Sequence, residues 1–398
     1  MEYVWHAFGT RRHARACRYQ LSQTGADESH QSRQHLSKVR LPQPLRLIIR
    51  VWQIGKGLFD RTNVLRKVAF HPYSKHDNTL VVLSADSHLR VFELSVSPYY
   101  PEQDIELFPP PKRGYTVDFD IPDPVSFSFG AGADWMMWAI FILTKDGDIY
   151  VLCPVMPTKC VMTRAAITRM KALITYQAEK RHRTRTSMME RETSLNQTRW
   201  IGDILGQVSM GEFMGVTSSP AFTGVDIGDM VSFKRPNKVR PTPEIQGAIL
   251  FQPAPRAMDL IFPEASDIAI LESDGVTIVV TTWRGGRVDI GILLTGIEGV
   301  WSVKGASSKD LSPIRIASYE NIEISAGKNA WTGILTSRND NEGVFVMIGS
   351  SVWHLDFRGW LQELQRLNRD EDEDEDLRPI KAVSTMKSLL VNELYTLL

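Results

Sequence analysis

The chain has 398 residues, 43% of them hydrophobic and 23% charged, which is enough apolar content for a large buried core. Its 46 basic side chains balance its 46 acidic ones, which excludes a globally basic nucleic-acid binder and a polybasic membrane-surface protein. Cys17, Cys153 and Cys160 are too few for a disulfide framework and point to a reducing compartment. The longest apolar run, Trp135–Leu143, is far too short to span a bilayer, so no membrane insertion is expected and the chain reads as soluble and intracellular.

Residues 1–44 hold Arg11, Arg12, Arg15, Arg18, Arg33, Lys38 and Arg40 with little apolar periodicity, the pattern of a disordered basic tail. A transit peptide remains open from the arginines, although no sustained amphipathic pattern supports it. Leu45–Trp52 (LRLIIRVW) reads as a first strand, able to pair into the last sheet and hide an open edge.

Val68–Leu94 follows as strand, polar turn, strand, tight turn at Asp86-Ser87, strand. The unit recurs. AIFIL and IYVLCP flank Asp146-Gly147; TIVVTTW and RVDIGILL flank Arg284-Gly285-Gly286; GVFVMIG and VWHLDF flank Ser350-Ser351. Four apolar hairpins around tight turns predict an all-β, closed repeat, a WD-like β-propeller occupying residues 45–398, with six to seven blades and only four of them clear.

Between the second and third hairpins the period changes. Ile167, Met170, Leu173 and Ile174 recur at helical spacing, and Trp200, Ile201, Ile204, Leu205 and Val208 form a second stripe. We read residues 160–208 as a helical insertion with a mobile loop around Arg181–Thr193. The second stripe is the candidate partner-binding surface, because an amphipathic helix offers an apolar face to a partner groove; packing on the chain's own scaffold is the competing account. Gly211–Pro263 is rich in Gly, Pro and Ser, with possible strands at Met230–Phe233 and Ala248–Phe251. Asp370–Asp376 is a run of seven carboxylates and is expected to be a solvated loop. Leu389, Leu390, Leu394 and Leu398 suggest a terminal helix over Met386–Leu398 or the start of a partner-binding coil.

Catalytic signatures are missing. The sequence contains no phosphate-binding glycine loop, no HExxH, no GxSxG and no kinase motif. Cys153 and Cys160 have no zinc-knuckle spacing, and His71 before Pro72 suits a hydrogen-bonded turn. No enzyme activity, cofactor or metal is expected. Lys180–Arg185 is basic without interleaved aromatics, so direct nucleic-acid binding is not expected either.

Phe70-His71-Pro72, the hairpin Val81–Phe92 (VVLSADSHLRVF) and Ile149–Pro157 (IYVLCPVMP) carry a resemblance. Thr281-Thr282-Trp283 with Gly286 and Val288, and Ser351–His354 leading to Trp360-Leu361, extend it. Over about Leu45 to Leu361 the chain resembles the N-terminal propeller of the fungal nucleoporin 82 family, related to animal nucleoporin 88. The resemblance implies a seven-bladed propeller at the cytoplasmic face of the nuclear pore complex, within the nucleus, supporting messenger-RNA export. It implies docking of a phenylalanine-glycine nucleoporin tail and of a nucleoporin 98-type C-terminal domain. The family's coiled-coil assembly through heptads is not expected of these residues. The alternative is a generic WD-type propeller adaptor outside the pore, although its Gly-His and Trp-Asp marks are missing.

Overall fold

The computed structural model describes residues 54–109, 121–183, 186–208, 229–254, 264–303, 308–324, 330–337, 340–369 and 383–389, apart from 56, 60–62, 238, 240 and 241. The predicted tail at 1–44, the predicted strand Leu45–Trp52 and the acidic run Asp370–Asp376 lie outside the described residues. In chain order the strands begin with β1 (Leu65–Phe70), β2 (Thr79–Ser84), β3 (His88–Glu93) and β4 (Gln103–Glu106). They continue with β5 (Pro124–Phe129), β6 (Ile140–Thr144), β7 (Ile149–Leu152) and β8 (Lys159–Thr163). Two helices follow, α1 (Arg164–Arg183) and α2 (Met188–Val208), then β9 (Met230–Lys234), β10 (Ile245–Gly247) and β11 (Leu250–Gln252). The last elements are β12 (Ala265–Ser273), β13 (Val276–Trp283), β14 (Arg287–Leu293), β15 (Arg315–Glu323), β16 (Thr332–Thr336), β17 (Gly343–Ile348), β18 (Ser351–Asp356), α3 (Arg358–Arg369) and β19 (Thr385–Leu389).

Among the described residues these strands make four sheets of four or five strands and one two-stranded ribbon. The sheets run β1-β2-β3-β4, β10-β7-β6-β5, β11-β15-β14-β13-β12 and β16-β17-β18-β19; the ribbon is β8-β9. All four predicted hairpins are present as β2–β3, β6–β7, β13–β14 and β17–β18.

The sheets stack face to face, with an apolar layer in each interface. Val81, Leu83, Leu89 and Val91 of the first sheet meet Phe127, Ile140 and Ile142 of the second. On the second sheet's other face, Phe141, Leu143 and Val151 join Ile268, Ile270 and Val279 of the third. Ala269, Leu271, Ile278 and Val280 then turn toward Val344, Val346 and Leu355 of the fourth. Successive residues of β6 and β12 thus serve two different cores, as the period-2 geometry of a strand demands. That is why these segments read as unbroken apolar runs.

The edge strands β1, β5, β12 and β16 of the four sheets lie side by side, and three of them carry the same irregularity. The register slips between Leu65 and Lys67, between Pro124 and Ser126, and between Ala265 and Asp267. A bulge re-aims the residue that follows it, and here Lys67, Ser126 and Asp267 converge. Lys67 Nζ donates to Asp267 Oδ1 at 2.5 Å and to Ser126 Oγ at 3.0 Å, and Ser126 Oγ donates to the same carboxylate oxygen at 2.6 Å. Asp267 Oδ2 accepts the Ile334 N–H of β16 at 3.0 Å. One carboxylate therefore ties four strands from four sheets.

His71 behaves as the sequence suggests. The Tyr73 N–H donates to its Nδ1 at 3.2 Å, which leaves Nε2 to donate to the Val155 carbonyl at 3.1 Å. Burial pushes its pKa down to about 4 against a weaker opposing pull from the Val155 bond, so the ring is neutral near pH 7.

Two local expectations fail. The predicted mobile loop at Arg181–Thr193 is helical through Arg183 and again from Met188. Ser187 and Glu190 form a reciprocal capping box: Glu190 N–H donates to Ser187 Oγ at 3.1 Å, and Ser187 N–H to Glu190 Oε2 at 2.7 Å. The predicted terminal helix is also wrong at its start, because Thr385–Leu389 is a strand paired antiparallel to β18. The open edge of β18 supplies backbone partners that outweigh the weak helical spacing of the leucines; residues 390–398 lie outside the described residues.

Candidate partner-binding site

Helices α1 and α2 stand between β8 and β9, which pair antiparallel from Lys159↔Lys234 to Thr163↔Met230. Thr163 starts α1, accepting the Ala166 N–H on its Oγ1 at 3.1 Å. Lys180, Arg181, His182 and Arg183 crowd its last turn, where the helix dipole favours positive charge.

The predicted partner-binding stripe on α2 faces inward. Trp200, Ile201 and Ile204 are buried in the chain's own core, and Leu205 and Val208 are half-buried against the same cluster. Trp200 packs with its ring centroid 4.8 Å from that of Trp135, whose ring meets Trp301 edge-on at 6.2 Å. Its indole N–H points at Met156 Sδ, 3.3 Å away. Ile167, Met170 and Ile174 of α1 enter the same cluster. The competing account, packing on the scaffold, describes Trp200, Ile201 and Ile204; their side chains offer a partner no surface.

A polar clamp finishes the base. Glu298, in the loop after β14, receives Arg181 and the Gln197 Nε2–H at 3.2 Å, and Gln197 also donates to the Gly299 carbonyl at 3.1 Å. At the other end of α2, Gln207 exchanges two hydrogen bonds with the Lys234 backbone, at 2.9 and 3.1 Å. Gly299 is needed for closeness, since a Cβ there would lie 2.4 Å from the Trp135 ring. Gly299→Ala is expected to lose about 1–3 kcal/mol through this overlap, measured as a shift in the urea midpoint at constant m. An unchanged midpoint would show that the tryptophan cluster is looser than this packing.

What the pair leaves outward is a stripe that sequence reading missed. Thr168, Lys171, Ala172, Thr175, Tyr176 and Glu179 line a shallow depression along α1, and Tyr176 is 64% exposed. Their spacing is that of one helix face, but it is small, polar and mixed in charge, so no apolar periodicity announces it.

Cys153 and Cys160 are buried and unbridged. Each thiol is close to a carbonyl, Trp135 O at 3.4 Å and Pro157 O at 3.2 Å, and burial pushes both pKa values well up. Among the described residues no helix is long and apolar enough to cross a membrane.

With this geometry in view, a family model described as the nucleoporin NUP82 beta-propeller matches residues 115–276. The family likeness is to nucleoporin 82. The matched region runs from before β5 through β12 to the start of β13, so it takes in both helices. Nucleoporin nup82 of Schizosaccharomyces pombe is 23% identical over 322 residues, covering 78% of this chain and 39% of that protein. The Arabidopsis thaliana nuclear pore complex protein NUP88 is 27% identical over 288 residues, covering 70% and 33%. The chain thus aligns with no more than two fifths of the length of these relatives. Among solved structures, the Chaetomium thermophilum Nup82 NTD-Nup159 TAIL-Nup145N APD heterotrimer superposes with a TM-score of 0.71 at 17% identity, covering 87% of this chain and 71% of the matched one. The yeast Nup82-Nup159-Nup116 complex gives 0.62 at 17% identity, over 82% and 67%. The chain is mostly β and carries a β-propeller domain of the kind found in nucleoporin 82.

Proposed function

We propose that this chain is a non-enzymatic scaffold nucleoporin of the nuclear pore complex, a docking disc at the pore's cytoplasmic face that supports messenger-RNA export. The observation that carries this reading is the nucleoporin 82 propeller match over residues 115–276. On this reading the ring has seven blades, α1 and α2 are its helical insertion, and its partners are other nucleoporins. The tail helix of a phenylalanine-glycine nucleoporin and the C-terminal domain of a nucleoporin 98-type protein are the two expected ones. The fold suits a docking role, because stacked sheets give a rigid base while surface loops and the outward face of α1 vary without disturbing the cores.

Because the stripe of Trp200, Ile201 and Ile204 is spent on the chain's own core, the surface assigned to the tail helix is the outward face of α1. Small Thr168, Ala172 and Thr175 let a second helix approach closely, Tyr176 offers an apolar ring, and Lys171 and Glu179 give opposite charges for orientation.

The test is co-purification of the 398-residue chain with the two recombinant partner fragments. A stoichiometric ternary complex on size exclusion is expected. Ala172→Arg combined with Tyr176→Ala should weaken the tail helix by at least about tenfold in calorimetry, with the thermal midpoint unchanged. A folded chain that binds neither fragment would move the generic adaptor reading to first place.

A further inference from the structure

The fourth sheet is completed by its last strand through one small anchor. β19 lies at the sheet's edge, and four of its five residues are exposed. It pairs with β18 from Val352↔Leu389 to Asp356↔Thr385. Immediately before it stands Ser384. Its N–H and its Oγ–H both donate to Glu320 Oε2 of β15, at 3.1 and 2.6 Å, and its Oγ accepts the Trp360 indole N–H of α3 at 3.1 Å. Trp360 is fully buried and packs on Tyr319 with ring centroids 4.5 Å apart. One hydroxyl thus joins the edge strand, the third sheet and α3.

We propose that Ser384 is a phosphorylation site, and that its modification releases β19 from the fourth sheet. Three observations support this. In sequence, Arg378 and Lys381 stand six and three positions before it, giving the basic residues upstream that a basophilic protein kinase recognises through its own carboxylates. In structure, Val383 beside it is 64% exposed, β19 has one neighbouring strand among the described residues, and none of its residues belongs to the three inter-sheet cores, so the segment can open locally. In electrostatics, the group facing the hydroxyl is a carboxylate. A phosphate carries a charge of about −1.5 to −2 at pH 7, so the modified side chain and its old carboxylate partner repel.

The transfer uses a nucleoside triphosphate. The Ser384 Oγ–P bond forms as the bond from the γ-phosphorus to the β–γ bridging oxygen breaks, the nucleoside diphosphate leaves with that electron pair, and the hydroxyl proton passes to the kinase's catalytic base. The repulsion outweighs the backbone hydrogen bond that Ser384 retains toward Glu320, so the open state persists. Release frees the hydrogen-bonding edge of β18, Val352–Asp356, which can then accept an extended segment of a partner. The switch converts a self-completed sheet into an open docking edge.

The test treats the whole chain with a basophilic kinase and ATP, then maps phosphate by tandem mass spectrometry and amide exchange by hydrogen–deuterium labelling. Phosphate on Ser384 is expected, with exchange at Val352–Asp356 faster by at least about tenfold. Ser384→Ala should remove both effects. Glu320→Gln keeps an acceptor for the serine and removes the like charge, so phosphorylated E320Q should exchange more slowly than the phosphorylated parent. The proposal is overturned if Ser384 stays unmodified while a control peptide of the same sequence is modified, if Thr385 takes the phosphate instead, or if modified protein exchanges like unmodified protein.

Discussion

Trp200→Ala should lower the unfolding free energy by about 3–5 kcal/mol, the range for removing a large aromatic side chain from a packed core. The site explains why the value should fall at the upper end. Trp200 is 1% exposed, packs its ring at a tilt on Trp135 and fills the seam where α2, the tryptophan cluster and Met156 meet. The walls are held by strand pairs on one side and the Glu298 clamp on the other, so they can collapse little into the void. Chemical denaturation monitored by far-ultraviolet circular dichroism measures this directly. A loss below about 1 kcal/mol would mean that α2 is a loosely attached arm, and the stripe of Ile201, Ile204, Leu205 and Val208 would again be available to a partner.

Asp267→Ala comes second, with an expected loss of about 3 kcal/mol. The carboxylate serves Lys67, Ser126 and the N–H groups of Ile268 and Ile334 together, so its removal strands an ammonium and leaves buried donors unmet. Lys67 keeps 28% of its side chain accessible, which places the loss at the lower end of the range for broken buried pairs. Replacing Lys67 with Met in the same protein removes the stranded charge, so the double variant should be more stable than Asp267→Ala alone. If the double variant is the weaker of the two, the ion pair is not what joins the sheets.

The hairpins β2–β3 and β6–β7 were legible in the sequence because their strands are covered on both faces, leaving apolar runs between polar turns. Tyr150 apart, β6 and β7 are wholly buried, and the run AIFIL says as much. The junction of Lys67, Ser126 and Asp267 was not legible, since its members lie up to 200 positions apart and look like ordinary strand residues. On α2 the pattern gave the stripe but not its direction, because an apolar helix face is the same whether it meets its own scaffold or another protein. Helix α3 was missed for want of length, although Trp360, Leu361 and Leu364 share a face and the Asp356 carboxylate accepts the Arg358 N–H at its start. The groove on α1 had no apolar signal to find.

The second sheet has a consequence for how the chain is made. β10, which completes it beside β7, is translated roughly ninety residues after β7, and α1, α2 and the β8–β9 ribbon intervene. At ribosomal rates of about 5–20 residues per second, the edge of β7 waits roughly 5–20 s for its partner. During that interval an apolar three-stranded sheet stands next to the finished first sheet with its far face and its edge uncovered. Nascent chains halted between Val208 and Glu244 should accordingly be the ones that chaperones bind most strongly, and passage through Gly247 should end that exposure.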